Sequence, residues 1–495
     1  MAPDREDSVC VVAADDGDAI AAYGVLHAHR AAGLETHLLC CTPVPTDRAV
    51  GVAVAAGASL HSLDECELSA DFHVPNLYEP AHPDRCDRVR LALEHLHREH
   101  HFDRIEFPAH GGLGFRAIQA KRAGLAFDGV TLAVRLDTCA AWKREKATRW
   151  PARFAEVEAE FAERFAFEQA DERVTPDAGL LAFVRGKGWR PAPPAHTAAS
   201  VNPLVTVAIA HHNLGRHFPA TLASLAAQTY PRLDVVVIDD GSTDPESVRV
   251  FGEVTARYTG WRFLRQANAG IGATRNRCLG LARGEFFLPV DADNIARPDM
   301  VERFVRGIAR NPDLAAMTCY HLAFAGDGDV PERFLFAVRP TGGPHTLAAI
   351  RNVYGDANAI FRTSVLREIG GYETDRGTAC EDWELFVKLV NAGGRVGVIP
   401  DHLFYYRHRE TGFSRATNWF ANHQRVLRQF TNCGPLPRAE AEVLWTALLG
   451  FHQELERLKA GRACRRHRVA DAVYAAVRSV PRAVGRLVRS RRPWS

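Results

Sequence analysis

The sequence predicts an α/β protein built from two units, on three observations. Short, wholly apolar runs such as Val235 to Ile238 alternate with helical segments, as parallel strands covered on both faces do. At 495 residues the chain exceeds what one ordinary core supports. Between Gly188 and Pro203, prolines 191, 193, 194 and 203 stand among small residues, a linker composition. The expected organisation is an α/β domain at 1–190, a linker at 191–203, a second α/β domain at 204–435 and a helical, basic extension at 436–495.

In the first unit Ser8 to Ala13 reads as a strand, Ala19 to Ala32 as a helix and Thr36 to Cys41 as the next strand. Asp87 to His100 is a helix with Val89, Leu93 and Leu96 on its buried face. Arg104 to Phe107, followed by Gly111, Gly112 and Gly114, reads as strand, glycine turn, then helix, and Val130 to Leu136 as a further strand. Phe154, Val157, Phe161 and Phe165 form an apolar stripe on an acidic helix and predict its packing face.

In the second unit Leu204 to Ala210 is a strand that leads into His211, His212 and Asn213. A helix over Phe218 to Gln228 buries Phe218, Leu222 and Leu225, and Asp244 is placed to cap a helix with Pro245 at its first position. Such alternation builds right-handed crossovers and a mostly parallel sheet, whose strand carboxyl ends bind ligands. Beyond Ala439, Leu444, Leu448, Phe451 and Leu455 predict a helix docked on this unit.

Net charge is +2, but residues 461–495 hold ten arginines against one aspartate, so the rest of the chain is acidic. That tail, with Val473, Val477, Val484 and Val488 on one side, suits either an anionic membrane surface or a solvated terminus. Nucleic-acid binding is not expected, since no stacking platform accompanies the arginines. Eleven cysteines without CxxC spacing read as reduced core residues of a reducing compartment. The acidic start lacks a secretory signal pattern, and no apolar run reaches about 18 residues, so a cytoplasmic protein, at most peripheral to the inner membrane face, is expected.

Chemistry concentrates where apolar runs end in acids. Asp239 and Asp240 close VVVIDDGSTD, and one can accept from a base or ribose while the other caps the turn. Asp291 and Asp293 close FFLPVDADN, where ionised acids require a metal, a cation or solvent, and Mg²⁺ or Mn²⁺ suits such oxygen ligands. Between them Gly270 permits close backbone approach and Arg275 offers a cation to phosphates or to the fold, although no dinucleotide or P-loop pattern is present. Glu381 and Asp382 open a helix, which favours acids there; a general base, preferably Asp382 with Glu381 hydrogen bonding beside it, is the functional alternative. In YYRHRETGFSR, His408 is a candidate metal ligand, and Arg407, Arg409 or Arg415 a candidate diphosphate contact. His211 lies near the expected base-binding region.

Taken in order, Asn213, QTYP at 228–231, DDGSTD, NxGxxxxRN, ARGEFFLPVDAD, GGY ahead of EDWEL, and YYR resemble the inverting glycosyltransferases of family 2, over about residues 204–430. The resemblance implies a GT-A nucleotide-diphospho-sugar transferase domain and a nucleoside diphosphate sugar as donor. It further implies that Asp239 and Asp240 hold base and ribose, Asp291 and Asp293 meet ribose and metal, Asp382 is the base and His408 completes the metal shell. This chain departs from the family at Ala210 and His211, where a proline and a small residue are usual. FDRIEFPAHGGLGFRAIQAKRAG and ADERVTPD resemble the Rossmann-like first half of a family 4, GT-B glycosyltransferase, whose nucleotide-binding half has no counterpart here. The implied acceptor is a glycan, a lipid-linked glycan or a small molecule. The alternatives are a sugar nucleotidyltransferase and a non-catalytic scaffold that keeps the fold.

Overall fold

The computed structural model describes residues 7–41, 45–63, 70–77, 81–149, 151, 154–193, 202–328, 330–409, 412, 417–431, 448, 450–451 and 454–455. Most of the expected extension at 436–495, with its arginine-rich tail, and much of the linker lie outside these residues.

The first unit contains β1 (Ser8–Ala13), α1 (Asp16–Ala31), β2 (Glu35–Cys40), α2 (Asp47–Ala56), β3 (Ser59–Ser62), α3 (Ala81–His100), β4 (Arg104–Pro108), α4 (Phe115–Ala123), β5 (Thr131–Arg135), α5 (Ala140–Lys146), α6 (Phe154–Gln169), β6 (Glu172–Val174) and α7 (Ala178–Gly186). Its strands form one parallel sheet in the order β3-β2-β1-β4-β5-β6, a Rossmann order. Strand periodicity explains its two faces: Val9 and Val11 pack under Ala19, Ala22 and Leu26 of α1, while Cys10 and Val12 pack under Val89, Leu93 and Leu96 of α3.

The packing face of α6 keeps half of the expected stripe, Phe161 and Phe165 lying edge-on to Phe115, and adds two acids. Phe154 is exposed and Phe161 and Phe165 are half-buried, whereas Glu158, Ala162, Glu163 and Ala166 are buried. Two acids turn inward because each finds partners there. Glu163 accepts from the Gly111 N–H at 2.8 Å and the Ala140 N–H at 2.8 Å, and Glu158 pairs with Arg351 of the second unit.

The second unit contains β7 (Val205–His211), α8 (Phe218–Ala226), β8 (Leu233–Asp240), α9 (Pro245–Arg257), β9 (Arg262–Gln266), α10 (Ile271–Leu281), β10 (Phe286–Pro289), β11 (Ile295–Ala296), α11 (Met300–Arg310), β12 (Ala316–Ala325), β13 (Phe336–Val338), β14 (Ile360–Arg362), α12 (Thr363–Glu368), α13 (Glu381–Asn391), β15 (Val396–His408) and α14 (Trp419–Thr431). Strands β10, β7, β8 and β9 are parallel neighbours. Beyond β10 the sheet is mixed: β14 runs antiparallel to β10 and β12, β12 runs parallel to β15, and β11 pairs antiparallel with β15. The Asp244 side chain accepts from the Ser247 N–H at 2.8 Å and so caps α9, with Pro245 at its first turn. Helix α14 is fastened to α13 through buried Glu384, which receives Arg425 and Arg428.

The two units are joined by polar contacts withdrawn from water. The β12–β15 register shifts on both sides of Tyr320, and this irregularity accompanies a side chain that reaches the first unit. Tyr320 donates to Asp87 of α3 at 2.9 Å, with buried Arg116 of α4 3.5 Å from the same carboxylate. Arg116 also donates to the Pro340 carbonyl at 3.0 Å and Gln119 to the Thr341 carbonyl at 3.3 Å. Residue Asn76 bridges in parallel to Ala337 of β13. The first unit therefore braces the segment from Arg339 to Arg351 that leads to Asp356.

Among the described residues every cysteine is free, and all but Cys380 are buried. No helix of the described residues is long and apolar enough to cross a membrane.

Candidate active site

The carboxyl ends of β7 and β8 carry the first acidic group. Asp239 is fully buried, 2.9 Å from the His211 Nδ1, and accepts from the Ser242 hydroxyl and from Arg265 Nε at 2.9 Å. Burial alone would raise its pKa; the hydrogen bonds from Ser242, His211 and Arg265 outweigh that and hold it below the usual carboxylate range. His211 is itself buried, stacked near Phe218 and Phe251, and burial lowers its pKa against the pull of Asp239. Asp240 accepts from the Ala269 and Gly270 N–H groups at 2.8 and 2.9 Å and from Gln266 at 2.7 Å. It thereby ties β8 to the glycine segment ahead of α10. Asn213, at φ 51°, accepts from the Thr243 and Asp244 N–H groups and shapes the DGSTD turn.

Glycine is required twice in this region. Gly270 sits at φ 91°, and a Cβ on Gly272 would lie 2.2 Å from the Glu373 carbonyl oxygen. The start of α10 is thus seated directly beneath the 371–376 segment.

The second group gathers around Arg275. Its buried guanidinium donates to Asp291 Oδ1 at 2.6 Å and to Glu381 Oε1 at 2.7 Å, joining the carboxyl end of β10 to the first turn of α13. Asp293 is 8% exposed and accepts from Arg409 Nε at 2.8 Å. Burial, and then the Asp291 charge, push its pKa up to about 6 despite Arg409. Asp382 keeps some solvent access, and withdrawal from water together with the Glu381 charge pushes it up to about 7, against the Trp383 N–H and Arg275. Asp356 is raised well above the ordinary range by burial and by the charges of Asp291 and Asp382. Tyr406 of β15 is raised by burial and then by the charges of Asp356, Asp291, Asp293 and Asp382. Cys380, the residue before α13, adopts φ 68°, a strained conformation at the helix that presents Asp382.

Arg407 is buried and donates to the Gly326 and Gly328 carbonyls and to the Asp293 carbonyl. His408 ends β15 with its ring edge-on to Phe336 at 5.4 Å. Asp291, Asp293 and His408 are not a cluster with ligand atoms within 4.8 Å of one another; among the described residues that condition is met by His37, His61 and His100 in the first unit. Sequence reasoning offered Arg409 to a diphosphate rather than to Asp293, and did not select Asn358 for the site. Asn358 accepts from the Asp291 N–H at 3.2 Å, and its buried Nδ2 has no hydrogen-bond partner. No spacing rule links Asn358 to Asp291, because β14 and the loop before it come from 67 residues away.

The donor set has the chemistry of a hard-cation site, although among the described residues no three of its acids bring ligand atoms within 4.8 Å of one another. The carboxylates of Asp291, Asp293, Asp356, Glu381 and Asp382 outnumber the nearby guanidiniums of Arg275, Arg407 and Arg409. Oxygen ligands with surplus negative charge suit Mg²⁺ or Mn²⁺.

Residues 206–370 match the family model described as Glycosyl transferase family 2. The uncharacterized glycosyltransferase YibD of Escherichia coli (strain K12) is 38% identical over 115 residues, 23% of this chain and 33% of that protein. The glucosyl-dolichyl phosphate glucuronosyltransferase of Haloferax volcanii is 31% identical over 183 residues, 35% of this chain and 57% of that protein. The chain spans about a third or less of the length of the first curated relatives it matches. Among solved structures, S. aureus TarS 1-349 in complex with UDP-GlcNAc aligns at 18% identity and a TM-score of 0.40, covering 53% of this chain and 76% of that one. Residues 206–370 are thus similar to glycosyl transferase family 2, and they follow a Rossmann-like amino-terminal domain.

Proposed function

We propose that the chain moves one sugar, with inversion, from a nucleoside diphosphate sugar to an acceptor hydroxyl, a UDP-sugar being the favoured donor. The observation that carries this reading is the Arg275 bridge between Asp291 and Glu381, which sets the acids of β10 beside Asp382. Asp239, Asp240, His211, Asn213 and Gly270 frame the base and ribose. Asp291 and Asp293, with His408 from β15, hold Mg²⁺ or Mn²⁺, which when bound neutralises charge on the departing diphosphate. Arg275 and Arg407 add positive charge toward the phosphates in a site that stays acidic until the cation binds, and Arg275 holds Asp291 and Glu381 in place.

Asp382 takes the proton of the acceptor hydroxyl as its oxygen forms the new bond to the anomeric carbon. The bond to the diphosphate breaks in the same step, and its electron pair leaves on the diphosphate oxygen. Elevation of Asp382 toward neutral pH makes it a stronger proton acceptor than an ordinary carboxylate. The acceptor is a glycan, a lipid-linked glycan or a small molecule. The first unit resembles the leading half of a GT-B enzyme and is assigned a bracing or acceptor-binding role rather than catalysis. The arginine-rich tail at 461–495 is assigned to an anionic membrane surface, which places the protein at the inner face of the cell membrane. Equal flotation on anionic liposomes with and without the tail would remove that assignment.

The test is a donor hydrolysis screen across UDP-, GDP- and dTDP-sugars with Mn²⁺ or Mg²⁺. Turnover of one donor class, dependent on the cation, is expected. No turnover of any nucleotide sugar with either cation would overturn the reading.

A further inference from the structure

The imidazole cluster in the first unit stands apart from every residue of the proposed transfer site. His37 lies on β2 and His61 on β3, and the parallel register pairs His37 with Ser59 and Leu39 with His61. The two-residue period therefore puts both rings on the same face of the sheet, the face that α3 covers. His100, the last residue of α3, completes the group. His37 is fully buried, its Nδ1 lies 3.0 Å from His61 Nε2, and its ring centroid is 4.5 Å from that of His100. One nitrogen from each of the three rings falls within 4.8 Å of the others.

The surroundings have the form of a ligand shell. His37 Nε2 lies 3.3 Å from Glu35 Oε1 without a hydrogen bond between them, so a carboxylate stands beside the ring. Glu99 lies 3.9 Å from His100 Nε2 and 3.6 Å from His95 Nε2. Tetrahedral zinc with bonds of about 2.0–2.1 Å needs nitrogens about 3.3 Å apart, close to the His37–His61 separation. Without a cation, three adjacent imidazoles at the edge of an apolar core leave several ring nitrogens to be satisfied by each other.

We propose that His37, His61 and His100 bind a divalent transition metal of the zinc class. Nitrogen ligands alone select zinc, cobalt, nickel or copper over magnesium, so this ion differs in kind from the one suited to Asp291 and Asp293. Its role is to fasten edge strand β3 and the carboxyl end of α3 to β2. Helix α3 meets the second unit at Asp87 and reaches the cluster at His100, about 20 Å farther along its axis at the helical rise. The metal therefore supports the first unit without touching the transferred sugar.

The experiment uses the full chain without a polyhistidine tag, stripped with chelator and titrated with Zn²⁺ against a chromophoric competitor, and with Co²⁺ followed by its visible absorption. Stoichiometric Zn²⁺ binding and a tetrahedral Co²⁺ spectrum are expected, together with a rise in thermal midpoint on Zn²⁺ addition. His61→Gln and His100→Gln should each weaken binding by about tenfold or more and abolish the thermal shift. His100→Gln, at a helix end, serves as the folded control if His61→Gln does not fold. Asp293→Asn should bind Zn²⁺ and Co²⁺ as the unmodified chain does. Failure of the unmodified chain to bind, or equal binding by His100→Gln, would overturn the proposal.

Discussion

Asp239 and Asp240, which end β8, contrast with Asp291 and Asp293, which follow β10 of the same sheet, and with Asp382 in the first turn of α13. The first pair is surrounded by donors that the protein itself supplies: His211, Ser242 and Arg265 for Asp239, and Gln266 with the 269–270 backbone for Asp240. The second group has fewer donors than charges, and Asp293, Asp356 and Asp382 are all raised. In the proposed function the acids already satisfied would frame a base and ribose. The acids left in mutual repulsion would be where a cation and a reacting sugar lower the energy.

The largest expected effect comes from removing the proposed base. Asp382→Asn should cut transfer by about 10²–10⁴-fold while leaving donor affinity unchanged, measured by single-turnover kinetics and calorimetry. Transfer at the unmodified rate would refute the assignment. Arg275→Ala leaves Asp291 and Glu381 facing each other without their shared partner, and should destabilise the fold by about 3–5 kcal/mol in chemical denaturation. A loss no larger than that of a surface arginine would show that Arg275 is not the link between the two acid groups.

A pH experiment sharpens the comparison further. The raised carboxylates bind more protons folded than unfolded between about pH 4, the ordinary carboxylate value, and pH 7, the value for Asp382. In that window their contribution makes stability fall as pH rises, the opposite of what lowered Asp239 contributes. Mn²⁺ should therefore raise the thermal midpoint more at pH 8 than at pH 5, and Asp293→Asn should flatten the difference. The smallest effect is steric: Gly272→Ala should cost about 1–3 kcal/mol, because its Cβ meets the Glu373 carbonyl backbone. An unchanged melting curve would mean that the 371–376 segment moves aside freely.

The parallel half of the second unit was legible because its strands are apolar throughout and end in acids, so that strand, turn and cap signals agree around Val235 to Pro245. The half beyond β10 was not. Strands β12 to β15 lie between loops and pair across long separations, and the position of Asn358 beside Asp291 follows from that pairing rather than from local pattern. In α6 the stripe located Phe161 and Phe165 but not the burial of Glu158 and Glu163, whose partners composition does not reveal. The imidazole triad was hidden for a similar reason: His37, His61 and His100 meet only through sheet register and the length of α3.

The central claim is that the acids following β10 hold a cation on the activated sugar's diphosphate while Asp382 of α13 serves that sugar's acceptor. Mn²⁺ binding in the presence of UDP, followed by electron paramagnetic resonance on the full chain, tests it most directly. Asp293→Asn should lose the UDP-dependent Mn²⁺ signal, whereas Asp382→Asn should retain it and lose transfer. A signal in Asp293→Asn identical to that of the unmodified chain would contradict the account.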